Sequence, residues 1–199
     1  MKKMISLLLA LALVAAIAAG CAGGNNENDT TGTTGAGAGA QTSASALAVL
    51  NNLWALYSEE EKFPVAGGDT DKMNPEGPDS YGLEDTASLS VQLLVPEDQA
   101  GKIEEAAALF HGMMVNNFTC GVFRMATNID AAAFAEMMHG AVANARWMCG
   151  MPEKLLIAVV DDRHVLVAFG LGDLIGGLQT KLTAAYPNAQ IKYAEDIVG

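Results

Sequence analysis

The feature that most restricts how this chain can fold is a polar segment near its N-terminus, residues 22–45. It has no aromatic and no branched aliphatic side chain. Such a segment cannot bury enough apolar surface to offset its conformational entropy. We therefore expect a flexible linker, which would span roughly 25–30 Å. A folded core is confined to residues 46–199, a length typical of one domain.

The residues before the linker have the three parts of a secretory signal peptide. Lys2 and Lys3 precede an apolar stretch of 13 residues, Ile5–Ile17, which small residues follow. That stretch is too short for a membrane-spanning helix, which needs about 20 residues. We predict a signal peptide over residues 1–20.

Cys21 follows the sequence IAAG, which resembles the lipobox of bacterial lipoproteins. The resemblance implies cleavage before Cys21 and attachment of diacylglycerol to its thiol. Acyl chains would then hold residues 21–45 and the domain at the extracytoplasmic face of the cell membrane. The mature chain would carry nine basic and 23 acidic side chains, a formal charge of −14. This charge argues against nucleic acid and against direct contact with anionic lipid.

Periodicity and turn residues predict an α+β domain, with a mixed β-sheet of about five strands packed with four helices. The continuous apolar character of the two strands after residue 154 indicates that both faces of the sheet are covered. Helices are predicted at 46–57, 97–115, 130–148 and 173–186, and strands at 86–95, 118–126, 155–160, 164–169 and 191–193. Residues 59–81 are predicted to form a long loop.

The segments FRMATNIDAAAFAEMMHGAVANAR (123–146) and KLLIAVVDDRHVLVAFG (154–170), with the lipobox and linker, resemble a family of small lipoproteins. The members of this uncharacterised family come from Gram-positive, gut-type bacteria, and each contains a domain of unknown function. The likeness covers about residues 118–187, and the motifs it rests on are structural rather than catalytic. It therefore implies an anchored domain but no activity. The loop at 59–81 departs from the family pattern.

Cys120 and Cys149 are the cysteines that remain after lipidation. An antiparallel arrangement of the predicted strand (118–126) and helix (130–148) brings the start of one near the end of the other. A disulfide is then geometrically feasible, and an extracytoplasmic location permits it. Two buried thiols are the alternative interpretation.

Methionine and histidine cluster at His111, Met113 and Met114 and again at Met137, Met138 and His139. Thioether and imidazole ligands suit Cu(I), so His111, Met113, Met137 and His139 are candidate ligands of a copper-type site. The favoured interpretation is different: Met114 and Met138 fall on apolar helical stripes, where methionine fills gaps in a core.

The remaining motifs do not predict chemistry. The glycine-rich turn after residue 169 has Ile175 where a dinucleotide loop needs its third glycine, so no nucleotide is expected. No serine lies in a nucleophile elbow, and no other cofactor is indicated. A pocket that gathers His111, His139, Arg124 or Arg146 would favour a metal site or an enzyme.

These observations favour a non-enzymatic binding or interaction module, anchored at the cell envelope, for a protein or envelope ligand. Exposure of Trp54, Phe63 and Tyr81 beside the long loop would support it. A copper-type Met/His lipoprotein is the first alternative, and an enzyme with an unrecognised site is the second.

Overall fold

A computed structural model describes residues 45–148 and 150–197, which belong to one compact unit of the chain. Its α-helices are α1 (Ala46–Trp54), α2 (Thr86–Leu93), α3 (Ala131–Ala143) and α4 (Gly172–Ala185). Its strands are β1 (Val65–Gly67), β2 (Asp79–Tyr81), β3 (Ile103–His111), β4 (Phe118–Met125), β5 (Lys154–Val159), β6 (His164–Gly170) and β7 (Gln190–Asp196). Short 3-10 helices precede β3 and β4, at Glu97–Lys102 and Val115–Asn117.

The seven strands form a single sheet in the order β1-β3-β4-β6-β5-β7, and β2 pairs with β3 beyond the end of β1. All the strand pairs described are antiparallel. Helices α1 and α4 cover one face, and α2 and α3 cover the other, each over its own apolar core. The predicted coverage of both faces of β5 and β6 is therefore confirmed, because alternate residues of each strand enter different cores.

The α+β class is confirmed, but the sheet has seven strands rather than about five. The two additional strands, β1 and β2, lie in the segment predicted as a long loop, and each has only three residues. They pair end to end along β3. Such short strands carry too little alternation to be detected, and the all-antiparallel pairing differs from the mixed sheet expected.

Two neighbouring elements were predicted wrongly. A strand was predicted over residues 86–95, but residues 86–93 form α2. Asp85 caps this helix by accepting from the Ser88 N–H, and Leu89 and Leu93 reach the core one turn apart. Residues 103–111 form β3 rather than a helix. Three consecutive alanines, Ala106–Ala108, favour a helix intrinsically, but here they fill both faces of a covered strand.

Helix α3 begins as predicted, with Asp130 accepting from the N–H groups of Ala132 and Ala133. It ends at Ala143, whereas the prediction carried it to Met148. The last positions of the predicted stripe therefore lie outside the helix, and Met148 is 78% exposed. None of the described helices is long and apolar enough to span a bilayer.

Candidate functional site

The connection between β3 and β4, residues 112–117, presents apolar side chains to solvent at one end of the sheet. Met113 is 82% exposed, and Met114 and Val115 are also exposed. The strands on either side are already buried in both cores, so side chains in the connection extend past the core and have little to pack against. The sequence-based placement of Met114 in the core is wrong, whereas Met138 is fully buried as expected.

These side chains border an open cavity of about 330 Å³ on the α2/α3 side of the sheet. The cavity lies between the end of β3, the C-terminal end of α2, the loop after β1 and the segment after α3. Its lining is mainly apolar: Met73, Val91, Leu94, Phe110, Met113, Met114, Val115, Trp147 and Phe169. We call this cavity and its exposed rim the methionine pocket.

Each wall of the methionine pocket is fixed by a specific local contact. Helix α2 ends where Leu94 takes a left-handed conformation (φ 57°), and Val91 in its last turn is 77% exposed. Trp147 packs on Phe169, with ring centroids 5.2 Å apart. Asn116 donates to the carbonyls of residues 148 and 150, at 2.9 and 2.6 Å, which holds this segment beside the cavity.

Most polar groups of the methionine pocket are hydrogen-bonded within the fold. His111 accepts the Met113 N–H at Nδ1 (3.2 Å) and stacks on Phe63. Thr119 donates to the Val115 carbonyl. Asp69 is the carboxylate of the lining, and it accepts N–H groups of its own loop. The lining of the pocket is thus mainly apolar and includes one carboxylate.

The structure separates the four candidate copper ligands into two places. His111 and Met113 line the methionine pocket, whereas Met137 and His139 lie on α3. The Nε2 of His139 lies 2.6 Å from a Glu195 carboxylate oxygen, and its ring stacks on Tyr193 of β7 at 3.8 Å. Residues 45–148 and 150–197 contain no group of three or more His, Cys, Asp or Glu side chains that could hold a metal ion.

Of the four side chains whose convergence would have favoured catalysis or metal binding, the methionine pocket includes His111 but not His139, Arg124 or Arg146. Arg124 lies at the other end of β4, where it is paired with Glu104 and Glu105.

A pair of a buried histidine and a partly buried aspartate, His164 and Asp161, lies away from the methionine pocket. The Nδ1 of His164 is 2.8 Å from a carboxylate oxygen of Asp161, the arrangement that orients a general base. Its Nε2 is buried and has no hydrogen-bond partner in the described part of the chain. Among the described residues no hydroxyl or thiol is bonded to that nitrogen, so the pair has no neighbouring side-chain nucleophile there.

Cys120 is fully buried on the α1/α4 side of the sheet, and burial raises the pKa of its thiol. Its predicted partner Cys149 lies outside the described residues, as does the predicted lipidation site Cys21. The disulfide and the lipid anchor therefore remain predictions.

The aromatic residues whose exposure would have supported an interaction module are buried or partly buried. Tyr81 is buried, and Trp54 and Phe63 form a cluster with Tyr57, in which ring centroids are 5.1–6.2 Å apart. Met73, Val91 and Trp147 line the pocket but were not predicted from the sequence as site residues. For Val91 a signal existed, since the Asp85 cap followed by Leu89 and Leu93 marks a helix that leaves Val91 outside the core.

No family model matches the chain, and no match is found among the curated proteins or the solved structures.

Proposed function

We propose that this protein is an extracytoplasmic lipoprotein, anchored through Cys21, whose domain binds a partner in the methionine pocket. The observation that carries the proposal is the apolar rim that is left exposed around a formed cavity. Exposed apolar patches rimmed by polar residues are typical of interaction sites. Methionine suits such a surface because its unbranched, polarizable side chain adapts to different partners.

The apolar rim provides a useful but limited binding energy. Val91 and Met113 of the lining are 77% and 82% exposed. Met148, whose carbonyl accepts from Asn116 of the lining, is 78% exposed. Full burial of a side chain of this size contributes roughly 1.5–3 kcal/mol. Covering these three would contribute about 4–7 kcal/mol before the entropic cost of association. A partner must therefore also insert a side chain into the cavity or add polar contacts.

The N-terminal connection supports access to the methionine pocket. The backbone N–H of Ala46 donates to Glu105 at the start of β3, whereas the pocket lies at the end of that strand, beside His111. Six residues of strand separate Glu105 from His111, a distance of about 20 Å. The point where the predicted linker joins the domain, at Ser45, therefore lies away from the pocket.

Metabolic labelling with a tagged fatty acid tests the anchor. We expect label on the wild-type chain and none on Cys21→Ala. The matched control Cys120→Ala, which alters a buried thiol, should keep the label. Label that persists on Cys21→Ala would refute the lipoprotein assignment.

Fluorescence of the uncharged dye Nile red tests the methionine pocket without a known ligand. Both apolar cores lie within residues 45–197, so a chain that begins at Ala22 retains them. We expect dye binding that Met113→Lys reduces at least about fivefold, because a charge on the rim opposes apolar contact. The control Ile191→Lys places the same charge on β7, at the other end of the sheet, and should bind the dye as the wild type does.

Cu(I) binding is the second candidate function, because Met73, Met113, Met114 and His111 line one cavity. Copper binding through Nε2 of His111 would require the proton to sit on Nδ1, which now accepts the Met113 N–H. Thioethers would thus be the main ligands. Met113→Leu with Met114→Leu keeps the apolar surface but removes two thioethers, so it should abolish Cu(I) competition with bicinchoninate and retain dye binding if copper is the ligand.

A further inference from the structure

We propose that the ligand of the methionine pocket is a cationic peptide segment that inserts a bulky apolar side chain into the cavity. This inference rests on the proposed binding function and specifies the chemistry of the partner. It follows from the size of the cavity, from the extent of the apolar surface around it and from the distribution of charge.

The size of the cavity fits side chains better than a large cofactor. Ligand sites for drug-sized molecules range from about 300 to 1,000 Å³, and this cavity is at the lower limit with about 330 Å³. Its floor consists of Phe110 and Phe169, and Trp147 forms a wall. An aliphatic or aromatic side chain inserted there would contact rings on two sides.

The apolar surface extends beyond the cavity, which indicates an elongated ligand. On one side the lining itself ends at Val91 on α2. On the other the apolar surface continues past Asn116, which is bonded to the Met148 carbonyl, to Leu171, whose N–H donates to Asn117. Both Met148 and Leu171 are exposed. A peptide laid across this end of the sheet would cover these side chains together, whereas a small molecule in the cavity would leave most of them in water.

The charge of the chain selects a cationic partner. The lining contains the carboxylate of Asp69 and no Lys or Arg side chain. Elsewhere several cations are paired within the fold: Arg124 and Arg163 bind Glu104, and Lys181 binds Glu61 at 2.8 Å. The predicted mature chain has a formal charge of −14. Its field therefore repels anionic ligands and attracts cationic ones.

Trp147 provides a reporter in the methionine pocket, because Trp54 is the other tryptophan of the chain. In a Trp54→Phe background, the emission of Trp147 is measured against three peptides of about 14 residues. The first combines Leu and Lys in an amphipathic helical pattern. The second replaces each Leu by Ser, and the third replaces each Lys by Glu.

We expect a blue shift with the Leu/Lys peptide and a Kd on the order of 10 µM. Raising the salt from about 50 to about 300 mM should weaken it at least about threefold, because screening reduces the attraction. The Ser/Lys and Leu/Glu peptides should bind at least about tenfold more weakly. Met113→Lys should abolish the shift, whereas the matched control Ile191→Lys should retain it.

The possible failures are distinguishable. Equal binding of the Leu/Glu peptide would overturn the charge argument and leave the binding function in place. Binding of the Leu/Lys peptide that is equally strong in Met113→Lys and Ile191→Lys would place the ligand elsewhere and overturn the proposal. A dimer in sedimentation that Met113→Lys converts to a monomer would identify a second copy of the chain as the occupant. Absence of both peptide and Nile red binding would refute the binding function itself.

Discussion

Replacement of Gly67 by alanine should destabilise the domain and distort the methionine pocket. Gly67 ends β1, and residues 77–79 cross directly over it. A Cβ at this position would lie 2.0 Å from the Gly77 carbonyl oxygen and 2.6 Å from the Asp79 nitrogen. Because these are backbone atoms, no side-chain rotation can relieve the overlap.

The magnitude follows from the contacts that must change. The crossing segment has to move by about 1.4 Å to bring the 2.0 Å contact to an ordinary separation of 3.4 Å, and overpacking of this kind costs roughly 1–3 kcal/mol. Gly67 also exchanges two backbone hydrogen bonds with Asn74, at 2.8 and 2.9 Å. If one is lost, it adds about 0.5–1.5 kcal/mol. We expect a total loss of about 2–4 kcal/mol and a fall in Tm of about 5–15 °C.

Urea unfolding of the chain that begins at Ala22 measures this effect, and Gly176→Ala is the matched control. Gly176 lies within α4, and a Cβ there would meet nothing within 4 Å. The same glycine-to-alanine change should therefore stabilise the chain by about 0.5–1 kcal/mol, through helix propensity. An unchanged urea midpoint for Gly67→Ala, or the same sign for both variants, would refute the reasoning.

The same variant links the fold to the methionine pocket. The loop that begins after Gly67 contributes Gly68, Asp69 and Met73 to the lining. A shift of the crossing segment moves this loop. Gly67→Ala should therefore also weaken Nile red binding when it is measured without urea, where the chain is still folded. Gly176→Ala should leave dye binding unchanged.

Three other predictions test buried polar groups. Burial raises the pKa of Tyr57 above 10.0 and leaves its hydroxyl without a hydrogen-bond partner among the described residues. Above about pH 10 this tyrosine ionises in the unfolded chain but stays neutral in the folded one, so the wild type loses stability as the pH rises. Tyr57→Phe should therefore lose less stability than the wild type in alkaline urea titrations. At pH 7 it should be about 1 kcal/mol more stable, because it removes the unpaired buried hydroxyl. Burial favours a higher pKa for Asp161, but hydrogen bonds from Arg163 and His164 outweigh it and lower the pKa below 3.8. The stability that this carboxylate contributes is thus present at neutral pH and lost as the pH falls below about 4. Asp161→Asn should therefore be less stable than the wild type at pH 7, and its stability should fall less steeply in acid. An unchanged acid dependence would contradict the role given to Asp161. The Cys120 thiol should resist iodoacetamide in the native chain at about pH 8 and react in denaturant, as mass spectrometry of its peptide can measure; rapid native labelling would contradict its burial.

The parts of the fold that the sequence predicted correctly have turn and cap signals that agree with their periodicity. The pair β5 and β6 flanks the polar turn Asp161–Arg163, and both strands are apolar at successive positions because helices cover both faces. Helix α3 begins at the Asp130 cap. In these segments local preference and tertiary packing favour the same structure.

The two wrong predictions, a strand where α2 lies and a helix where β3 lies, have a different cause. A strand buried on both faces has no alternation of polar and apolar residues, so its alanine-rich sequence suits a helix equally well. Helix α2 has eight residues and buries only Leu89 and Leu93, which gives too few positions to establish a period of 3.6. Tertiary packing determines the secondary structure of both segments, and the pattern of a single sequence does not show which residues pack together.

The methionine pocket was not predicted, and this is a direct consequence of the same two errors. A helix over 97–115 assigns Met114 to an apolar stripe, whereas a strand that ends at His111 moves Met113 and Met114 into the connection to β4. Methionine occurs both in cores and on adaptable binding surfaces, so its type does not distinguish the two environments. The informative signal is the neighbourhood: Gly112 before the methionines and Asn116 and Asn117 after them have the composition of a turn. Apolar side chains in a turn between two fully covered strands extend past the core. In that position their exposure is an argument for binding.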